Sequence, residues 1–163
     1  MEIIEYLSII TSPFWSVFLI SMIPIGELRL GIPIGIAFYK MSPISAFFAG
    51  LFGNFIIVPI LLFGFKKFYD YSNKVHYLNI FYNYLFQRTS TKSKIIKNMR
   101  SLGLMLFIAT PLPMTGAWTG CLAAFLFNID KKRAIFAAFF GLVISGLIVT
   151  LFSTFFYNTL IVK

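Results

Sequence analysis

Charged residues are absent from two stretches long enough to cross a bilayer, and that pattern leaves few folds open to the chain. None lies between Lys40 and Lys66, or between Arg133 and Lys163. Residues 42–65 and 134–157 each supply about 24 positions, enough for a helix through a hydrocarbon core of about 30 Å with some tilt. Composition agrees: 59% of residues are hydrophobic and 12% charged, whereas a soluble domain is roughly a quarter charged. The 163 residues have room for one compact membrane domain, 1–163, and little else. Lipid offers no partners to backbone amides and carbonyls, so spans of this kind are helical. The expected class is an all-α polytopic membrane protein.

Two further charge-poor stretches are interrupted by helix breakers. They are MIPIGELRLGIP near residue 27 and ATPLPMTGAWTG near residue 115. Proline removes a backbone donor and crowds the preceding turn, and glycine weakens helix interiors. Each stretch is expected to fold as two half-helices joined by a loop. Irregular backbone at membrane depth is tolerated where protein buries it or water reaches it.

Eight of the fourteen basic residues fall within 66–100 (Lys66, Lys67, Lys74, Arg88, Lys92, Lys94, Lys97, Arg100), against the single acid Asp70. The positive-inside rule makes this segment cytoplasmic. Lys131, Lys132 and Arg133 belong on the same side, yet only residues 101–129 lie between the two clusters. One crossing puts the clusters on opposite faces, and two crossings need about 40 apolar residues. A re-entrant hairpin satisfies both constraints.

A shift of 88 positions brings Ala46, Ala49, Phe52 and Gly53 onto Ala134, Ala137, Phe140 and Gly141, and superposes the two broken stretches. The chain then reads as two copies of one unit, each a re-entrant helical hairpin followed by one transmembrane helix. A unit that crosses once reverses the next, so parity makes this an inverted repeat. Secondary transporters commonly have this architecture, with sites where the broken helices meet. The first repeat occupies 1–65, a basic amphipathic cytoplasmic connector 66–100, and the second repeat 101–163. In the first hairpin, residues 14–23 descend and 30–39 return, after a short interfacial helix at 2–11. An uninterrupted span from 3 to 23 is the competing arrangement, and it breaks the parity.

Small residues recur every fourth position in the spans, as in Ala46/Gly50, Ala49/Gly53 and Ala137/Gly141/Ser145, which lets helix backbones approach closely. Asn54 offers the cavity a polar group, or else hydrogen-bonds between helices. Tyr69, Tyr71, Tyr77, Phe81, Tyr82, Tyr84 and Phe86 interleave with the connector's basic residues, a composition suited to anionic headgroups. Topology thus accounts for the net charge of +9, and no nucleic-acid partner is expected. His76 has no partner at metal-ligand spacing, and Cys121, the only cysteine, reads as a small packing residue. Two acids open the N-terminal MEIIEYLSII, so a cleavable signal peptide is not expected. Five acids, one histidine and one cysteine assemble no catalytic constellation, so no enzyme, metal or cofactor is expected.

Glu27 and Arg29 lie two residues apart in the first broken stretch. A charge at the bilayer centre costs roughly 2.5–3.5 kcal/mol on insertion scales, which marks the pair as the first candidate site. Burial disfavours a charged carboxylate and a neighbouring arginine favours it. These influences oppose, so the residues alone decide neither the charge of Glu27 nor its coupling role. If the two separate during alternation, Glu27 can take up a proton. If they remain paired, they clamp the first loop. The second loop adds the hydroxyls of Thr110, Thr115 and Thr119, the Trp118 indole, and amides around Gly116 and Gly120 at a half-helix N-terminus. With Arg29, these could bind a phosphate or carboxylate, or merely cap and pack the half-helices.

These residues resemble the small multidrug export protein family. The similarity rests on Glu27, Leu28, Arg29, Ile32 and Pro33, on Gly53 and Asn54, and on Pro111, Pro113, Thr115, Gly116, Ala117, Trp118, Thr119 and Gly120. A more distant similarity, to DedA and VTT-domain membrane proteins, implies proton-motive transport or movement of lipids such as polyprenyl phosphates between leaflets. The expected function is proton-coupled export of a small amphipathic or anionic substrate, held between the two loop tips by Glu27 and Arg29. Pro33, Asn54, Pro111, Pro113, Thr115, Gly116, Trp118, Thr119 and Gly120 complete the expected site. The alternative is a DedA-like lipid scramblase or polyprenyl-phosphate translocase. The expected location is the plasma or inner membrane, with lipids, protons and a small-molecule or headgroup substrate as partners, and a homodimer is compatible with so small a domain.

Overall fold

The computed structural model describes residues 12–72, 94–112 and 115–160. Those residues form six helices and no strand: α1 (Pro13–Met22), α2 (Glu27–Ala37), α3 (Pro43–Ser72), α4 (Lys94–Ala109), α5 (Ala117–Leu126) and α6 (Lys131–Leu160). The order is two short helices and a long one, then the same again. Two stretches, Pro43–Phe65 and Lys131–Thr159, are long and apolar enough to cross a membrane.

The helix starts follow from local chemistry. Ser12 is extended (φ −61°, ψ 153°), with Pro13 in the first position of α1, where its missing amide costs nothing. Residues 3–11 of the competing span over 3–23 lie outside the described residues. Ser42 caps α3 by accepting the Ser45 amide (3.3 Å). Asp130 caps α6 by accepting the amides of Lys132 (3.1 Å) and Arg133 (3.3 Å). Just before these caps, Lys40 (φ 52°) and Asn128 (φ 49°) adopt the left-handed conformation that closes a helix end. Caps and left-handed residues are both 88 positions apart.

Packing repeats within one position of the same offset. A Cβ on Gly53 of α3 would strike the backbone carbonyl of Phe18 in α1, and one on Gly141 of α6 would strike that of Met105 in α4. α2 rests against α1 where Gly31 meets Ser21, and α5 against α4 where Gly120 meets Ile108. The long helices run antiparallel: Phe47 packs on Gly146, Phe55 on Phe139 (ring centroids 5.2 Å apart), and Phe63 beneath the Lys131 ammonium (4.1 Å). α2 also packs on α6 and α5 on α3, so each half's second short helix reaches the other half's long helix. At the base of the second helical pair, the Arg100 guanidinium donates to the Phe127 carbonyl (3.3 Å), bringing its two ends together.

Outward faces carry apolar side chains at helical spacing. Phe48, Phe52, Ile56, Ile60 and Phe63 are exposed along α3, and Phe136, Phe140, Ile144, Leu147, Leu151 and Phe155 along α6. Water penalises such stripes and lipid does not.

Three boundaries differ from the sequence expectations. α2 begins at Glu27 instead of residue 30, and Pro33 sits inside it as its seventh residue. The ring removes the amide that would bond the Arg29 carbonyl, but packing on α1, α3 and α6 holds the helix regardless of that loss. The helices also take up both ends of the expected connector, since α3 runs on to Ser72 and α4 starts at Lys94. The expected interfacial helix at 2–11, the connector between 73 and 93 with His76, and Pro113 lie outside the described residues.

Candidate functional site

The two short turns, 23–26 and 110–116, meet beside the middle of α3. Asn54, midway along Pro43–Phe65, donates from Nδ2 to Glu27 Oε2 (3.3 Å), and the Cys121 thiol of α5 approaches the Val58 carbonyl (3.7 Å). Asn54 is wholly buried and Glu27 is 5% exposed.

Glu27 opens α2 in the left-handed conformation (φ 52°), which is strained for a residue with a Cβ. That backbone turns its side chain onto the start of α5. Oε2 accepts the Ala117 amide (3.2 Å) and Oε1 the Trp118 amide (3.2 Å). A helix leaves its first amides without internal partners and carries partial positive charge there. The Glu27 carboxylate thus supplies from another helix what an N-cap side chain usually supplies from within. Gly116, the residue before α5, explains how the carboxylate gets so close, because a Cβ at 116 would occupy the carboxylate's position. Thr119 completes the start of α5, its Oγ1 accepting the Gly116 amide (3.0 Å).

Arg29 acts at the opposite kind of helix end. Nη1 donates to the Leu112 carbonyl (2.5 Å), and Nη2 to the carbonyls of Thr110 (2.8 Å) and Thr115 (2.7 Å) and to Thr115 Oγ1 (3.2 Å). The guanidinium gathers the carbonyls that α4 and its following turn leave open. The single Thr115 hydroxyl proton is shared between the Thr110 and Leu112 carbonyls, tightening the turn that Arg29 reads.

Trp118 returns the connection. From the second position of α5, its indole N–H donates to the carbonyl of Met22, the last residue of α1 (3.1 Å). The first turn of each second short helix therefore donates to the open carbonyl end of the other pair's first helix. Between the tips lies a cavity of about 600 Å³, lined by Pro24, Ile25, Gly26, Glu27, Arg29, Leu30, Pro111, Gly116, Trp118 and Thr119. Its wall is mostly apolar, with the Glu27 carboxylate and the Arg29 guanidinium as its charged members.

Among the residues expected at the site, Glu27, Arg29, Asn54, Pro111, Thr115, Gly116, Trp118 and Thr119 converge here. Pro33 lies further along α2, and Gly120 faces Ile108 as a packing glycine. Pro24, Ile25, Gly26 and Leu30 enter the lining unannounced, although the broken stretch that contains most of them pointed to their neighbourhood. The carbonyls of Met22, Thr110 and Leu112 have no signature in a sequence.

Apolar outer faces around an apolar core, with a charged, hydrogen-bonded meeting of helix ends inside it, define a helical membrane protein. The chain belongs to the family described as "Putative small multi-drug export protein", whose model matches residues 27–148, 122 of the 163 positions. The match begins at Glu27 itself. No curated protein and no solved structure matches the chain.

Proposed function

We propose that the protein is a small secondary transporter that exports an amphipathic solute through the cavity between the two tips, coupled to protons at Glu27. One observation carries the reading: the carboxylate in the cavity wall is also what fastens the start of α5 to the first helical pair. A carboxylate accepts several hydrogen bonds and favours a helix N-terminus, whereas a neutral acid does so much less. Protonation then loosens the tip contact and deprotonation restores it. The apolar lining suits the body of an amphipathic solute, and Glu27 or Arg29 its polar end.

In this reading the chain is an inverted repeat of two re-entrant hairpins and two spans. The 88-residue offsets in caps and left-handed residues, and glycine contacts within one position of that offset, support the repeat. The antiparallel long helices support the inversion, and Asn54, midway along the apolar stretch Pro43–Phe65 of α3, supports tips at mid-depth. The protein sits in the cell membrane with the basic connector 66–100 in the cytoplasm.

Flux of a fluorescent lipophilic cation in proteoliposomes tests the coupling. The wild-type chain is expected to move the dye at a rate set by the imposed pH difference, and Glu27→Gln to lose that dependence while remaining monodisperse in detergent. Flux that keeps its pH dependence in Glu27→Gln removes the proton role. Equilibration of labelled lipids between leaflets with no gradient, in place of dye flux, would indicate a scramblase.

A further inference from the structure

Asn54 has one end committed and the other free. Its Nδ2 donates to Glu27 Oε2 (3.3 Å), while Oδ1 is buried with no hydrogen-bond partner. A buried amide oxygen without a donor is disfavoured, so its retention beside a membrane carboxylate calls for an explanation. The backbone around it is fixed. Gly53 presses α3 against the Phe18 carbonyl of α1, and Gly50 seats α3 against Ile32 of α2, which together aim residue 54 at the start of α2.

We infer that Asn54 is a positioning residue that holds Glu27 in both of its protonation states, reversing its amide as the proton arrives. With Glu27 ionised, Nδ2–H donates to Oε2. When a proton from the cavity binds Oε2, that O–H needs an acceptor, and a half-turn about the terminal side-chain bond presents Oδ1 where Nδ2 stood. One hydrogen bond is kept and its sense is reversed. No covalent bond other than O–H forms, and the proton returns to the cavity when the amide turns back. The Ala117 amide, which shares Oε2, loses its charged acceptor in the neutral state. A side chain that could only donate would hold the ionised form and leave the neutral acid without support.

The other groups that face Glu27 are few. Arg29 lies on its own helix and is tied to the α4 carbonyls, and the Cys121 thiol of α5 is within its electrostatic reach. α3 contributes the neutral Asn54. Among the described residues, the carboxylate's hydrogen-bond partners are the Asn54 amide and the backbone amides of Ala117 and Trp118.

This inference rests on the proton-coupled reading above, and one reporter separates the two. The chain has two tryptophans, so Trp15→Phe leaves Trp118, whose indole closes the tip contact, as the only tryptophan, read by excitation beyond the tyrosine band. Its fluorescence in nanodiscs is expected to titrate with pH, and Glu27→Gln to abolish the titration. A titration that persists in Glu27→Gln, or its absence in the parent, overturns the proton-coupled reading. With that control met, Asn54→Leu is expected to move the midpoint by less than about one pH unit, because both states lose a bond. The protonated carboxyl C=O stretch, seen by infrared difference spectroscopy, should rise to the frequency of an acid without an acceptor. Asn54→Thr, whose hydroxyl can donate and accept, should restore the wild-type band and also shows that the site tolerates change. An upward midpoint shift of two units or more with an unmoved band means that Asn54 serves the ionised form alone, and overturns the inference. So does an Asn54→Leu chain that matches the parent in both readings.

Discussion

Glu27 is the residue on which the site turns, and its hold on α5 depends on an atom that is absent: the Cβ of Gly116. Adding that atom puts a methyl group where the carboxylate sits, so Gly116→Ala forces the tip apart or displaces Glu27 from the Ala117 and Trp118 amides. The expected cost is about 2–3 kcal/mol, from overpacking and lost charge-assisted bonds. Thermal unfolding in detergent measures it, and an unchanged melting temperature contradicts the geometry. Glu27 and Arg29 were both legible as candidates from sequence, because charges in apolar sequence are costly. Their roles were not. A salt bridge within the first loop was one reading from sequence, yet each side chain is instead committed to an opposite helix end of the second pair.

At the scale of elements, glycines divide by what faces them. Gly53 touches the α1 backbone, whereas a methyl group added at Gly64, further along α3, would meet nothing within 4 Å. Gly53→Ala is expected to destabilise by about 1–3 kcal/mol, and Gly64→Ala to stabilise by roughly 0.5–1 kcal/mol through helix propensity. Unfolding midpoints of the two variants, compared in one detergent, should move in opposite directions. The two long helices and the existence of two broken stretches were readable from charge-free length and from proline and glycine placement. Helix boundaries were less so. Pro33 marks the cause: a proline ends a helix only when nothing else holds the chain, and α2 is gripped by three neighbours.

For the whole molecule, the arrangement makes a topological statement. Lys40 precedes the start of α3, and Lys131 lies over Phe63 near the other end of its apolar stretch, so residues 38–42 and 127–130, which lead into the long helices, occupy opposite ends of the long-helix pair. Single cysteines placed at Lys40, Arg100 and Lys132 after Cys121→Ala are expected to label in two classes. Arg100 and Lys132 should react from the same side of sealed vesicles, and Lys40 from the other. Labelling of Arg100 and Lys132 from opposite sides contradicts a second helical pair whose ends meet at Arg100 and Phe127.

Hydrophobic length, the placement of charges and helix-breaking residues are properties of the chain taken in order. They therefore determined the membrane class, the two apolar helices and the broken stretches before any contact was known. The helix-end partners of Glu27, Arg29 and Trp118 lie about 80–100 positions away in sequence and are mostly backbone amides and carbonyls, which every residue possesses. Only the packed structure could select them, because a helix end becomes a binding partner once folding brings it within reach of a charge.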